Sequence, residues 1–383
     1  MPAFAYRHIK DIYPIFWSKS REMVKAIAAS MQQEGADAGL EKGVAPSKVF
    51  ELNGWLSRTT LDIIGVAGMG YDFHAIQDPN TELCKTYRAV FEPSGQAKML
   101  GLLSMVVPLR LLRLIPLQRN NDMKAAAETI RGVCRQLIQH KQQKINRQEK
   151  SNDVDILSVA MESGAFSENQ LIDQLMTFLV AGHETTSTST IWSICFLCQH
   201  PEIQSRLREE VRTSLPSIED DSTTVTAEVL DRLPYLHAVV METLRFQSPV
   251  SMTRREASKD TSILGQFVPK GTDIIISPYA VNMSTALWGE DAMKFNPDRW
   301  MGPGKANSGG ADSNYSLLTF LHGPRSCIGQ QFAKAEQASL LAALVGKFQM
   351  ELADKDAVIG IQSGITSRPK GGLHVRMTAL EGW

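Results

Sequence analysis

The chain has 383 residues, enough to bury a sizeable core. Its 40 Lys plus Arg nearly cancel 41 Asp plus Glu, so the net charge of -1 offers no basic footprint for a nucleic-acid backbone. An apolar fraction of 43% with 27 glycines excludes a collagen, a disordered chain and a disulfide-dense secreted scaffold.

Five cysteines, at 84, 134, 195, 198 and 327, are too few and odd in number for a disulfide framework. They point to a reducing compartment, or to one thiol with a task of its own. No apolar run reaches about 18 residues, so no transmembrane helix is expected within this chain. The N-terminal stretch has no signal-peptide apolar region and begins as if in the middle of a fold.

In chain order, residues 15–34 place Ile15, Phe16, Met23, Val24, Ile27 and Met31 at helical spacing, and residues 50–68 repeat the pattern from Phe50 through Ile64. Residues 119–148 predict a long polar-faced helix, with the basic run from His140 to Lys150 as its solvated end. Residues 168–199 hold no proline and predict one helix of about 50 Å, closed by Pro201. A further helix is expected over 234–246. The period then changes. Thr261–Leu264, Phe267–Val268 and Asp273–Ser277 read as short strands. Residues 302–314 read as a surface loop, and 328–346 as a helix. The C-terminal ITSRPKGGLHVRM predicts a strand pair around its Pro-Lys-Gly-Gly turn. With no repeat and no linker, the whole is one mainly α domain over 1–383 with a small β-rich flank.

The strongest local signal is Phe320-Leu-His-Gly323-Pro-Arg325-Ser-Cys327-Ile-Gly329. A thiolate that ligates a metal must be held deprotonated by N–H donors and nearby positive charge. Cys327 stands just before a predicted helix, whose N-terminal dipole favours an anion. Gly323 and Gly329 allow a flat ligand to approach the backbone. Arg325 adds a fixed charge, and Phe320 can shield the sulfur. The pattern F-x-x-G-x-R-x-C-x-G resembles the haem-binding signature of the cytochrome P450 family at all five positions. The resemblance implies that Cys327 is the axial ligand of haem b, iron protoporphyrin IX.

Residues 181–190, Ala-Gly-His-Glu followed by six β-hydroxy residues, are poor helix formers inside an apolar helix. A small-residue face for a neighbouring helix is one explanation. The segment also resembles the P450 motif A-G-x-[DE]-T-[TS]. That resemblance gives Glu184 and Thr185 an acid–alcohol role in passing protons to dioxygen in a dry site. A zinc-protease reading of His183-Glu184 fails because the fifth position is Ser187. Cys195-x-x-Cys198 lies among apolar residues and reads as inert buried thiols. Gly65-x-x-Gly68-x-Gly70 has the wrong spacing for a dinucleotide.

Glu242-Thr-Leu-Arg245 is a common helical ion pair. It resembles the family's E-x-x-R, and Phe295-Asn-Pro297-Asp-Arg299-Trp300 resembles its F-x-P-x-R segment. The resemblance implies a structural charge cluster of Glu242, Arg245 and Arg299. It also makes Arg255, ahead of Arg254, a candidate partner of a haem propionate, although both fit solvated strand arginines equally. The resemblance further implies a first strand that lines the substrate pocket near Val250 to Thr253, with Gly360–Thr366 as a candidate for the other pocket-lining turn.

The likeness is to the eukaryotic microsomal type, fungal-like and of the kind found in secondary metabolism. Such members carry an N-terminal anchor, a hinge and first helices and strands that would precede residue 1. Trp17-Ser-Lys-Ser-Arg21 imitates the family's W-x-x-x-R, but Pro2-Ala3-Phe4 matches the Pro-x-Phe stretch found shortly after the genuine motif. Residues 99–117, apolar with Arg110 and Arg113, fit either a membrane-surface segment or a lid over the pocket. The implied activity is monooxygenation of a lipophilic small molecule by a monomer at the cytosolic face of the endoplasmic reticulum. Electrons would come from NADPH through a separate cytochrome P450 reductase, with cytochrome b5 as a second donor. Two alternatives stand: a haem-thiolate isomerase or dehydratase, and a truncated product that holds no haem.

Overall fold

The computed structural model describes residues 4, 6–37, 46–91, 99, 103, 118–147 and 155–383. Pro2, Ala3, the end of the basic run at 148–150, and all of 99–117 except Met99 and Leu103 lie outside them.

The first long helix, α1 (Tyr13–Asp37), buries Phe16, Trp17, Met23, Val24, Ile27 and Met31, the apolar stripe of its sequence. Trp17 meets the Trp383 ring edge-on, whereas Arg21 donates to the Ile218 carbonyl and pairs with Asp221. Neither touches the cysteine loop, so this W-x-x-x-R is a structural coincidence. Ser47–Glu51 is a strand, β1, and the helix α2 (Leu52–Met69) starts two residues after Phe50. The sequence expectation of a helix from Phe50 is therefore corrected. Glu51 ends the strand and caps the helix, accepting from the Asn53 and Gly54 N–H groups at 3.0 and 3.1 Å. Gly65 packs where a Cβ would stand 2.5 Å from the Tyr71 carbonyl oxygen, so the glycine triplet serves a tight turn.

Then come α3 (Glu82–Phe91), α4 (Gln118–Asn146) and α5 (Glu168–Gln199), the unbroken helix expected from its sequence. A reciprocal cap starts α5: Gln170 N–H donates to Ser167 Oγ, and Ser167 N–H donates to Gln170 Oε1 at 2.8 Å. Ser167→Ala is expected to cost about 0.5–1 kcal/mol, read as a lower urea midpoint. Pro201 sits in the first turn of α6 (Pro201–Ser214), and Pro234 in that of α7 (Pro234–Phe246). The last long helix is α8 (Gln330–Lys347). α5 runs through the middle, against α2, α4, α7 and α8, and from Thr186 to Leu197 it is buried on every side.

The strands form small antiparallel sheets. β2 (Thr253–Glu256) pairs with β5 (Asp273–Ile276), and β3 (Thr261–Ile263) with β4 (Gln266–Val268). β6 (Phe348–Leu352) and β1 both pair with β9 (His374–Ala379). β8 (Ser367–Pro369) pairs with β7 (Ile361–Ser363). The expected C-terminal pair is thus corrected: β8 and β9 flank the Gly371-Gly372 turn but enter different sheets. Both glycines have φ above +80°, a backbone conformation that favours glycine. Residues 302–314 form turns, as expected. No described helix is long and apolar enough to cross a membrane.

Candidate functional site

The cysteine loop is closed by its own backbone. Leu321 and Gly323 take φ of +57° and +78°, Ser326 N–H donates to the Gly323 carbonyl, and Cys327 N–H donates to the Phe320 carbonyl at 2.8 Å. Gly329 then caps α8. Cys327 reaches the surface. The atoms packed around the loop still push its thiol up, and the Gly329 N–H opposes them. A Cβ at Gly323 or Gly329 would meet nothing within 4 Å, so this face of the loop is open.

Between loop and α5 lies a cavity of about 220 Å³. Cys327, Phe320 and Arg325 form one wall; Thr185, Thr186 and Ser189 form the facing wall on α5. Leu244, Pro249, Val250 and Thr253 close a third side. Arg255 follows Thr253 on the same face of β2 and donates to its Oγ1 at 2.9 Å, whereas the exposed Arg254 is held outside by Asp273. No group of three or more His, Cys, Asp or Glu among the described residues could chelate a bare metal ion. A lone thiol, an open glycine-flanked face and two nearby guanidiniums instead suit a metal that brings its own planar, acid-bearing macrocycle.

The structure separates the two residues of the acid–alcohol motif. Thr185 lines the cavity, with its hydroxyl donating to the Ala181 carbonyl at 2.8 Å. Glu184, one residue and about 100° earlier on the helix, does not. Its buried carboxylate accepts from Thr366 Oγ1 at 3.0 Å and pairs with Arg368 at 3.2 Å. Burial pushes this carboxyl up, and Arg368 and Thr366 pull it back. The expectation for Gly360–Thr366 is corrected likewise: none of these residues lines the cysteine cavity, because Thr366 is held on the Glu184 side.

His183 is buried against the Tyr87 ring at 4.4 Å, and desolvation lowers its pKa to about 4. It faces α3, not a metal. Gly182 packs where a Cβ would come 3.0 Å from Ile64, so the small-residue explanation also holds. The hydroxyl run is satisfied by back-bonds along α5 and by a seam to α8. There Ser189 donates to Gln337 Oε1, and Gln337 Nε2 donates to Ser193 Oγ. Gln337 and its neighbour Glu336 belong to no local motif, and only the packing of α8 on α5 reveals them. Cys195 is buried and its thiol pushed up to about 12; Cys198 is raised too, and neither forms a disulfide.

Glu242, Arg245 and Arg299 come together. Arg245 holds Glu242 through two hydrogen bonds of 2.8 and 2.7 Å, and both side chains are fully buried. Arg299 Nε lies 3.7 Å from the same carboxylate. The cluster reaches the cysteine loop through Asn282. Arg245 donates to its carbonyl, and its side chain binds Thr319 Oγ1 and the Leu318 N–H, both at 2.8 Å.

Comparison with known proteins identifies the family. The sequence model of the Cytochrome P450 family matches residues 1–375. The chain is 48% identical over 385 residues to the cytochrome P450 monooxygenase sphH of Aspergillus fumigatus, covering 100% of this chain and 69% of that protein. It is 42% identical to the cytochrome P450 monooxygenase FUM15 of Gibberella moniliformis, over 99% of this chain and 70% of the relative. Its fold superposes on the heme domain of cytochrome P450DA with a TM-score of 0.76 at 21% identity, covering 99% of this chain and 76% of the other. With most of its length matched by the family and fungal monooxygenases among its relatives, the chain belongs to the cytochrome P450 family.

Proposed function

We propose that the chain is a haem-thiolate monooxygenase in which Cys327 is the axial ligand of haem b. The observation that carries this reading is the cavity with the Cys327 thiol on one wall and the Thr185 hydroxyl on the wall opposite. The haem supplies the oxygen-activating chemistry, and a thiolate ligand favours O–O cleavage. Arg325 and Arg255 are the cations for its two acid groups, a charge-assisted pairing. In this reading Thr185 is the alcohol and Glu184 the acid of the proton route: Thr185 lines the cavity with its hydroxyl on the Ala181 carbonyl, and the Glu184 carboxylate lies on the opposite side of α5. Leu244, Pro249, Val250 and Phe320 exclude water and favour a lipophilic substrate. The electron source in this reading is NADPH through a separate reductase, with cytochrome b5 as a second donor. The chain carries no flavin or nicotinamide motif, and the expected setting is the cytosolic face of the endoplasmic reticulum.

The test is the carbon monoxide difference spectrum of the reduced protein. A thiolate-type Soret shift is expected, and Cys327→Ser should abolish it. Well-folded protein with bound haem but no such shift overturns the assignment. Oxygen uptake that depends on NADPH and added reductase then distinguishes a monooxygenase from an isomerase.

A further inference from the structure

The other face of α5 borders a second cavity, of about 360 Å³. Glu184, Ser187, Thr188 and Ile191 line it, whereas Thr185, Thr186 and Ser189 line the first, so the helix is a partition between the two. The remaining walls come from the start of α2, from α3, and from β8 with its Gly371-Gly372 turn.

Its charges are unbalanced. Arg58, Arg88 and Arg368 line it against Glu51 and Glu184, a net of one positive charge. Both carboxylates are committed, Glu51 to the first N–H groups of α2 and Glu184 to Thr366 and Arg368. Among the described residues Arg58 donates to the Gly54 and Ile76 carbonyls, at 3.1 and 3.2 Å, and its guanidinium lies over the Trp55 ring. Arg88 makes one long contact to the Pro79 carbonyl, at 3.5 Å. A guanidinium has five N–H donors, so several remain on each. The two cations are close enough for Arg88 to lower the pKa of Arg58, beyond the lowering that burial causes. Apolar wall is supplied by Leu61, Phe91 and Ile191.

We propose that this second cavity binds an aliphatic monocarboxylate, its headgroup on Arg58 and Arg88 and its chain along Leu61, Phe91 and Ile191. Guanidinium pairs suit a planar carboxylate. One unmatched positive charge favours a monoanion over a phosphate dianion. The volume lies in the range of small-molecule sites. The site is separate from the cysteine cavity and does not rest on the haem assignment.

Calorimetric titration with dodecanoate tests it, on the wild-type chain and on Cys327→Ser. Both should bind, because the thiol is on the far side of α5. Arg58→Gln with Arg88→Gln should weaken binding at least about tenfold, as loss of charge-assisted hydrogen bonds does. Arg88 is exposed. Arg88→Gln alone should therefore leave the fold intact and weaken binding about three- to fivefold, a readout that survives if the double variant misfolds. Dodecanol should bind at least about tenfold more weakly, and excess inorganic phosphate should not compete. Unchanged affinity in the folded arginine variants, equal binding of dodecanol, or displacement by phosphate overturns the proposal.

Discussion

Arg245→Met is expected to lower the unfolding free energy by about 3–5 kcal/mol, the cost of leaving a buried charge without its partner. Glu242→Gln should cost less. The reason lies in the groups each change leaves behind. Without Arg245, the Glu242 carboxylate keeps, among the described residues, the Asn296 and Trp300 N–H donors at 2.9 Å, with Arg299 at 3.7 Å, and it remains fully buried. Without the Glu242 charge, Arg245 still donates to the carbonyls of Asn282, Ala292 and Lys294. Three carbonyl dipoles disperse a cation better than two N–H groups and a displaced guanidinium satisfy a carboxylate. Urea unfolding followed by circular dichroism measures both. A smaller loss for Arg245→Met than for Glu242→Gln would contradict this ranking. The consequence reaches the site, because Asn282 links Arg245 to Leu318 and Thr319, next to Phe320. Haem retention should fall together with stability.

That cluster also shows how far the sequence could be read. Ten consecutive residues carry the cysteine loop, and it is visible without any fold. The helix start near Pro234 is visible too, because proline constrains its own φ, whereas Pro201 reads only as the end of one helix and not as the start of the next. The strand at Ser47–Glu51 is hidden because Phe50 fits both the helical and the strand period, and its partner His374–Ala379 lies more than 300 residues away. The pairing of β8 and β9 fails for the same reason. Adjacency suggests a hairpin, whereas distant strands choose the partners. Glu184 can be named but not aimed. Its direction is set by Arg368 and Thr366, from a hairpin 182 residues away in the case of Thr366. Arg368 itself has no local signature, and neither does Glu336.

Glu336→Met is expected to stabilise the protein, on the order of 1–3 kcal/mol near neutral pH, as removal of a buried polar group without hydrogen bonds does. Glu336 is fully buried on α8, and neither carboxyl oxygen has a hydrogen-bond partner among the described residues. Burial raises its pKa well above 4.5, and the Thr186 hydroxyl that faces it opposes the shift only in part. This direction fixes the sign of the pH dependence. Below about 4.5 the carboxyl is protonated in both the folded and the unfolded chain and contributes no pH dependence. As pH rises, the unfolded chain ionises first while the folded one keeps its proton, so stability falls until the folded carboxyl titrates. Methionine has no proton to lose and should remove that fall. Urea midpoints of both proteins at pH 5 and pH 8 decide the matter: the gain from Glu336→Met must be larger at pH 8. An equal gain at both values, or a loss at pH 8, would mean that Glu336 is held by a partner stronger than the Thr186 hydroxyl. Since α8 begins three residues after Cys327 and carries Glu336 against α5, any stiffening there also steadies the wall facing Thr186. Tighter haem retention should therefore accompany the raised midpoint.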